Sequence, residues 1–252
     1  NIHISNVDGD GIYTQRGFDV LYQNLMIDKI GGNGVNLNGG NTTTLINCYM
    51  GEVGLGKCGY KIRGKATLIS CNGINKGDYW GIFGTKAEEE GVNTYADVHL
   101  INCNIEQFDK TGIVLKNGIF TLSHCLLTAT GLQPHYDYYI DIQCSTPAAC
   151  TIDSNTTFLT NGSTPNYPQD IRCESVQTRL LYFGERDLTY GKDSTVIKVP
   201  KIGVVYSAYN TTSIRLSNAV IDSMEYFHLG GNKHTYGTAA PTTGTWKRGD
   251  RV

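Results

Sequence analysis

Short apolar strands recur along the chain at nearly constant spacing. Each has the form Leu-Ile-x-Cys or a close variant, in which apolar and polar positions alternate as they do in β-strands. The five clear copies and one looser copy are Leu21–Asn24, Leu45–Cys48, Leu68–Cys71, Leu100–Cys103, Leu122–Cys125 and Ile152–Asn155. Their last residues are 24, 23, 32, 22 and 30 residues apart. This spacing indicates a base period of about 23 residues with insertions in two of the steps.

A second strand pattern, usually Gly followed by Ile or Val, alternates with the first. Its copies begin at Gly11, Gly34, Gly59, Gly81, Gly112, Tyr139 and Asp170. The next position is often polar, as in Asn36, Lys61, Asp141 and Arg172. That alternation is typical of a strand with one face turned inward and the other outward.

Two short strands in a period of about 23 residues are typical of a parallel β-solenoid, in which each turn buries its apolar face against the next. Leucine-rich repeats would need a fixed Leu–Asn frame that is missing, and a sandwich or barrel would need hairpin turns that are few. We therefore predict an all-β chain whose solenoid spans residues 1–180. Additional strands over 181–229 would continue or cap it, and 230–252 would form an extended Gly/Thr/Pro-rich tail.

Composition and the absence of common motifs exclude several classes of function but do not identify one. The 21 Lys and Arg against 23 Asp and Glu give a net charge of −2, which lacks the basic excess expected of a nucleic-acid-binding protein. The sequence predicts no transmembrane helix, because no apolar run approaches about 18 residues. No P-loop, nucleophile-elbow, zinc-protease or dinucleotide motif occurs, and we predict no cofactor. The chain opens on Asn1 rather than Met, so we expect it to be a fragment or a processed piece.

Four of the eight cysteines occupy the same position of the repeat, namely Cys48, Cys71, Cys103 and Cys125. Stacking the turns predicts an internal column of small apolar side chains, which Asn24 and Asn155 would continue. Zinc sites need close pairs such as Cys-x-x-Cys, and none occurs, so no metal is predicted. Cys144 and Cys150 are the one plausible local disulfide.

The alternating Leu-Ile-x-Cys/Asn and Gly-Ile-x-Leu strands resemble the right-handed parallel β-helices of the pectate-lyase type, over roughly two thirds of the chain. Residues 236–252 are similar to a segment near the end of phage tail-fibre and tailspike β-helix proteins. The resemblance implies a right-handed single-stranded parallel β-helix of about seven rungs. It further implies a homotrimer in the virion tail or outside cells. Its partner would be a bacterial surface polysaccharide, with no nucleic acid and no membrane.

Two candidate catalytic acids occupy equivalent positions of neighbouring turns. Asp78 and Asp109 each lie three residues before a strand-opening glycine, which would place their backbones about 5 Å apart. Glycosidases use carboxyl pairs at separations of about 5–9.5 Å, so the spacing permits a retaining or an inverting mechanism. Glu106 and Glu52 follow the cysteine column and are predicted to lie near the same side, Glu106 as an assisting acid and Glu52 in substrate binding.

The two insertions are predicted to form loops beside the binding face. Tyr79 and Trp80 precede the first insertion, residues 86–95, and would stack on sugar rings. Glu88, Glu89 and Glu90 within it have the pattern of a solvated charge run. The second insertion carries His135 and Tyr136, which would bind the sugar.

These observations favour a tailspike-type depolymerase that binds and cleaves capsular polysaccharide or O-antigen. Hydrolysis by Asp78 and Asp109, with Glu106 assisting, is the leading mechanism. The first alternative is a polysaccharide lyase, which needs a base and a cation to neutralise a uronate. Arginines are scarce in the first 170 residues, where only Arg16 and Arg63 occur. The second alternative is a non-catalytic β-helix that binds glycan without cutting it.

Overall fold

The computed structural model describes residues 1–73, 77–129, 138–144, 148–153, 155–160 and 169–173, together with separate strands up to residue 235. Of the residues that the structure describes, 60% are in strands and 3% in a helix, so the predicted all-β class is confirmed. Within this described part the one helix is α1 (Ala87–Glu90), which lies in the first predicted insertion.

Most strands belong to three sheets that share one pattern of connection. Sheet S1 contains, in spatial order, β2 (Ile12–Thr14), β5 (Val35–Leu37), β8 (Cys58–Ile62), β10 (Tyr79–Phe83), β13 (Thr111–Leu115), β16 (Tyr138–Ile142), β19 (Gln169–Cys173), β21 (Leu188–Tyr190) and β22 (Thr195–Ile197). Sheet S2 contains β3 (Val20–Gln23), β6 (Thr43–Ile46), β9 (Lys65–Ile69), β11 (Ala96–Ile101), β14 (Gly118–Ser123), β17 (Ala148–Ile152), β20 (Thr178–Tyr182), β23 (Val204–Ser207) and β24 (Ser213–Leu216).

The third group of strands, S3, has two three-stranded parts. The first is β1 (Ile2–Val7), β4 (Leu25–Ile30) and β7 (Tyr49–Met50), and the second is β12 (Asn104–Glu106), β15 (Leu126–Ala129) and β18 (Thr157–Thr160). Asn72 joins the two parts through parallel bridges to Tyr49 and Asn104. A separate hairpin is formed by β25 (Tyr226–Leu229) and β26 (Asn232–Thr235).

The chain visits S3, S1 and S2 in turn and then returns to S3 one strand further along. We call each such passage a coil. Because successive strands of a sheet come from successive coils, they run parallel, as the repeat predicted. On S2 the register follows the sequence motif: Leu45 pairs with Leu68, which pairs with Leu100, which pairs with Leu122. All four leucines are fully buried in the core.

The predicted cysteine column is confirmed for its four cysteines. Cys48, Cys71, Cys103 and Cys125 are buried, and none forms a disulfide. Each thiol lies near a carbonyl of the preceding coil; for Cys103 Sγ that distance, to the Leu68 oxygen, is 3.3 Å. The suggested disulfide between Cys144 and Cys150 is wrong. Both residues are buried cysteines that are not cross-linked, and Cys144 Sγ instead donates to the Leu115 carbonyl.

The ends of that column were predicted one residue out of register. Met26 pairs with Tyr49, so Leu25, not Asn24, lies opposite Cys48. At the other end, the Cys125 N–H donates to Thr156 Oγ1, so Thr156 rather than Asn155 continues the column.

Asn24 instead begins a column at the corner where the chain passes from S2 to S3. Its members share a left-handed backbone, with φ between 51° and 55°; they are Asn24, Asn47, Ser70, Asn102 and His124. Asparagine tolerates this conformation better than most residues because its short side chain bonds locally. Here the amides also bond from coil to coil, as Asn47 Nδ2 does to Asn24 Oδ1 at 2.8 Å.

Sheet S1 departs from the predicted alignment at β10. Gly81 pairs with Tyr60 on one side and Ile113 on the other, whereas the sequence had aligned it with Gly59 and Gly112. Trp80 therefore takes the position that glycines occupy in the neighbouring strands. Its side chain is fully buried and lies against Tyr60, with the ring centroids 4.6 Å apart.

The parallel pairing ends close to the predicted boundary at residue 180. On S2, β20 pairs with β23 antiparallel, and on S1, β21 pairs with β22 antiparallel. The three-part division of the chain stays a prediction. Within the predicted tail, β26 pairs with β25, and residues 236–252 lie outside the described part of the chain.

Candidate functional site

The predicted catalytic pair, Asp78 and Asp109, lies on adjacent coils but not in register. Asp78 precedes β10 and lies opposite Lys110, because Tyr79 pairs with Thr111. The backbone N–H of Asp109 donates to the Gly77 carbonyl at 2.8 Å. The two acids are thus diagonal neighbours, offset by one residue from the predicted arrangement.

Asp78 is also less accessible than its predicted role requires. The residue is 2% exposed, and its Oδ2 accepts a hydrogen bond from Lys110 Nζ at 2.5 Å. The lysine side chain itself is half exposed. This carboxylate therefore holds the side chain of a lysine on the next coil, and a polymer on the surface would meet the lysine first.

Asp109 and Glu106 are half-buried and lie in one connection between S3 and S1. Glu106 ends β12, and its Cα pairs with that of Thr128. Glu52 is placed elsewhere, because the bridges through Asn72 put its coil two steps before that of Glu106, about 10 Å along the stack. The structure thus keeps Asp109 and Glu106 together and separates Glu52 from them.

The predicted sugar-stacking residues have separate outcomes. Trp80 is fully buried between coils, so its assignment to sugar stacking is wrong. Its neighbour Tyr79 is half-buried and retains an outer surface. His135 and Tyr136 lie outside the described residues, and their role stays a prediction.

The outer face of S1 carries a column of side chains that do not belong to the core. It comprises the strand-centre residues Tyr13, Asn36, Lys61, Ile82, Val114, Asp141 and Arg172, which pair in register from β2 to β19. We call this set the outer column. Asn36, Val114 and Asp141 are buried, although the core cluster is formed by other residues of the same strands. Four of the seven are the polar strand positions noted in the sequence, for which no role is predicted there: Asn36, Lys61, Asp141 and Arg172.

At the N-terminal end of the outer column, one carboxylate organises two amides. Asp10 Oδ1 accepts from the backbone N–H and the side-chain amide of Asn33, and Oδ2 accepts from Asn36 Nδ2 at 2.6 Å. Asn36 Oδ1 is buried and has no partner among the described residues. Next to this group, burial raises the pKa of Cys58 to about 12, which disfavours a thiolate nucleophile there.

At the C-terminal end, Asp141 and Arg172 form a two-pronged ion pair. Arg172 Nε donates to one carboxylate oxygen at 2.8 Å and Nη2 to the other at 2.6 Å. The guanidinium also lies over the Tyr138 ring, 4.6 Å from its centroid. Such a planar arrangement fixes both side chains on the surface of S1.

Residues 86–95, which we call the flap, fold back against S1. Glu90 Oε1 lies 2.9 Å from Lys61 Nζ, and its other oxygen accepts from Arg63. Glu89 pairs with Lys116. The predicted solvated charge run is therefore wrong for Glu90, which is half-buried, whereas Glu88 and Glu89 are exposed as predicted, Glu89 with an ion-pair partner. The partners of Glu89 and Glu90 lie 25 or more residues away in sequence, so local spacing gave no signal for them.

The electrostatics of Glu90 follow from these contacts. Burial acts to raise the pKa of its carboxyl, but the hydrogen bond from Lys61 and the charges of Lys61, Arg63 and Lys116 outweigh that effect. The pKa of Glu90 therefore lies below its ordinary value.

The fold and this face define an all-β protein of stacked parallel strands with a charged outer surface. No family model, no curated protein and no solved structure matches the chain. Within the described residues, no helix is long and apolar enough to span a membrane, and no group of His, Cys, Asp and Glu has the arrangement of a metal site.

Proposed function

We propose that the chain is part of a right-handed parallel β-helix of the phage tailspike type, which binds and cleaves a bacterial surface polysaccharide. The outer column supports this most directly, because four of its seven side chains are amides or charges, and successive members are one strand step of about 4.8 Å apart along the direction that a linear polymer would follow. The handedness is supported by the general rule that parallel strand crossovers within one sheet are right-handed in about 98% of cases.

Hydrolysis is the leading reaction, with the roles revised from the sequence. Asp109 and Glu106 are the half-buried carboxyls that share one connection, so they are the candidate acid and base or nucleophile. Asp78 acts on them indirectly, since it fixes Lys110 and hence the backbone beside Asp109. Tyr79 begins β10 and is half-buried, so part of its side chain is accessible to the polymer.

A lyase is the second candidate, and one observation favours it. Lys61, Arg63 and Lys116 all pair with the flap glutamates near the ends of strands β8 and β13, and Lys110 is bonded to Asp78 and adjacent to Asp109. β-Elimination needs a cation to neutralise the uronate carboxylate and a base to remove the adjacent proton. The structure supplies more cations than the count of arginines suggested.

The test incubates the protein with a panel of purified capsular and O-antigen polysaccharides. Reducing ends without ultraviolet absorbance by unsaturated uronates mean hydrolysis, both signals mean a lyase, and binding without either means a non-catalytic β-helix. Asp109→Asn and Glu106→Gln should each lower cleavage at least about 100-fold with little loss of stability. Asp97→Asn, on the outer face of S2, is the matched control. Absence of binding to every polymer would contradict the proposal.

The assembly and location are proposed on the resemblance alone. A homotrimer in a virion tail would present three outer faces to the cell surface. Light scattering of the purified protein tests the trimer, and a monomer at micromolar concentration would contradict it.

A further inference from the structure

The flap is attached to S1 by charge rather than by apolar burial. No residue from 86 to 95 is buried, and α1 contributes no side chain to the core. The contacts that bring it to the sheet are the ion pairs of Glu89 and Glu90. The side chain of Glu90 is 23% exposed and that of Glu89 is 40% exposed, so these ion pairs remain open to screening by salt, and no buried apolar residue of the flap adds to them.

Hydrogen bonds join the two ends of the flap, at Thr85 and Thr94, and we call this junction the neck. Thr85 and Thr94 pair through their backbones, and their hydroxyl oxygens are 2.8 Å apart. Gly84 precedes the neck with φ +72°, where an added Cβ would lie 2.1 Å from the Asn117 oxygen. Gly91 ends α1 at φ +74°. The neck therefore joins the end of β10 to the start of β11 through contacts that do not involve Glu89 or Glu90.

Three cations lie beneath the flap, and one of them is also held by a residue of the preceding coil. The side chains of Lys61, Arg63 and Lys116 are only 13–19% exposed while the glutamates cover them. Arg63 Nη1 donates to Asn38 Oδ1 at 2.6 Å, which fixes the guanidinium independently of the flap. Its buried Nε has no partner among the described residues, so one donor remains for another acceptor.

The spacing of the cations matches more than one anionic group. Lys61 and Arg63 belong to the coil of β8, and Lys116 follows β13, two strands further along S1. The two groups are therefore about 10 Å apart along the direction in which successive strands stack. Glu89 and Glu90 satisfy both groups at once, as two carboxylates of one polymer would.

We propose that Lys61, Arg63 and Lys116 form a binding site for the carboxylates of an acidic polysaccharide, and that Glu89 and Glu90 occupy this site as internal substitutes. The polymer displaces the flap by exchanging carboxylate for carboxylate. The exchange exposes no apolar surface of the flap, because none is buried. This inference rests on the proposed glycan-binding function and specifies an acidic polymer, which the net charge of the chain does not indicate.

The test uses polygalacturonate as the probe and fully methyl-esterified polygalacturonate as its uncharged counterpart. The double variant Glu89→Gln/Glu90→Gln frees the cations and should bind polygalacturonate about tenfold more tightly than the native chain, the gain expected if the flap is closed nine-tenths of the time. The esterified polymer should show no gain. Glu88→Gln, a neighbouring exposed glutamate, is the control and should bind like the native chain.

Adding Lys61→Met and Arg63→Met to the double variant should abolish the gain, with thermal melting used to confirm folding. An independent measurement uses the native chain: polygalacturonate should speed tryptic cleavage after Lys86, and the esterified polymer should not. Equal gains for both polymers, or no gain and no added cleavage, would overturn the inference. If a bacterial polysaccharide binds while both readouts stay flat, only this inference fails. If no bacterial polysaccharide binds to any variant, the proposed function fails.

Discussion

Sheets S1 and S2 are both made of short strands but differ in how their register is determined. On S2 four successive coils present the same Leu and Cys positions, and five successive strands lead into the left-handed corner that begins S3. On S1 the strands follow connections of unequal length, and Trp80 replaces a glycine of the column. The repeated sheet is a scaffold, whereas the irregular one carries the outer column and the flap.

The difference shows where variation is tolerated in a stacked fold. A strand that is bracketed by a fixed corner keeps its register because a one-residue slip would expose its whole buried face. A strand that follows a longer connection can shift by one residue and compensate with a different side chain. Trp80 is such a compensation, since its ring fills space above Tyr60.

The largest effect should come from removing that ring. Trp80→Ala creates a cavity in the core and should lower the free energy of unfolding by about 3–5 kcal/mol. Tyr79→Ala, one residue earlier and half-buried, should cost less than about 1.5 kcal/mol. Urea unfolding of the two variants measures the contrast. Equal costs would mean that the assigned register of β10 is wrong.

A smaller effect on stability should distinguish Asp78 from Asp109. Asp78→Asn weakens the buried bond to Lys110 and should cost about 1.5–3 kcal/mol of stability, the usual contribution of a charged hydrogen bond. Asp109→Asn should leave stability nearly unchanged and lower cleavage instead. Thermal melting and reducing-end assays on both variants test this division. A stable, inactive Asp78→Asn variant would restore Asp78 as a catalytic candidate.

The corner column offers a test of comparable simplicity on the regular side. Asn47→Ala places a Cβ-bearing residue without a local bond at φ +52° and should cost about 1–2 kcal/mol. Asn47→Gly also removes the amide ladder but relieves the backbone, so it should cost less than Asn47→Ala. The opposite order, measured by urea unfolding, would show that the amide bond and not the backbone dominates.

The smallest global effect should be a local opening of the flap at low pH. The folded pKa of Glu90 is depressed, so its ion pairs with Lys61 and Arg63 stabilise the closed flap above the ordinary carboxyl value of 4.5. That stabilisation is lost as pH falls below 4.5 and through the folded pKa. The charge of Lys116, which pairs with Glu89, also acts on the Glu90 carboxyl.

Hydrogen exchange of residues 85–94, corrected for the intrinsic pH dependence of exchange, should therefore show protection that disappears below about pH 4.5 while the S2 strands stay protected. Glu90→Gln is the control and should give low flap protection at every pH. Loss of flap protection already at neutral pH in the native chain would argue against the ionic attachment.

Much of the scaffold could be predicted from sequence, because the repeated leucines and cysteines occupy the same buried positions in four successive coils. The all-β class, the parallel pairing and the buried cysteines all followed from that repetition. The outer column was visible only as polar positions at Asn36, Lys61, Asp141 and Arg172. Their partners depend on coils about 25–30 residues apart and on the flap, so no local pattern could reveal them.

The candidate site was predicted less well for a physical reason. The alignment of Gly81 with Gly112 assumed that like residues stack on like, and this placed Asp78 opposite Asp109 rather than Lys110. Trp80 was assigned to sugar because exposed aromatics often stack on sugars, but the chain uses it to fill the core. A match between residue types on two strands is weaker evidence for their register than turns of constant length and conformation at the strand ends.

The left-handed corner also affects where such a chain can accept loop insertions during evolution. Between S2 and S3 the connections keep nearly one length, from Gln23 to Leu25 at one coil and from Ile101 to Asn104 at another. Between S1 and S2 the connection ranges from the short turn after Ile62 to the whole flap after Phe83. New loops can therefore be acquired at one corner while the other keeps the coils aligned. Grafting recognition loops of different chemistry between Phe83 and Ala96 would use the same freedom in the laboratory.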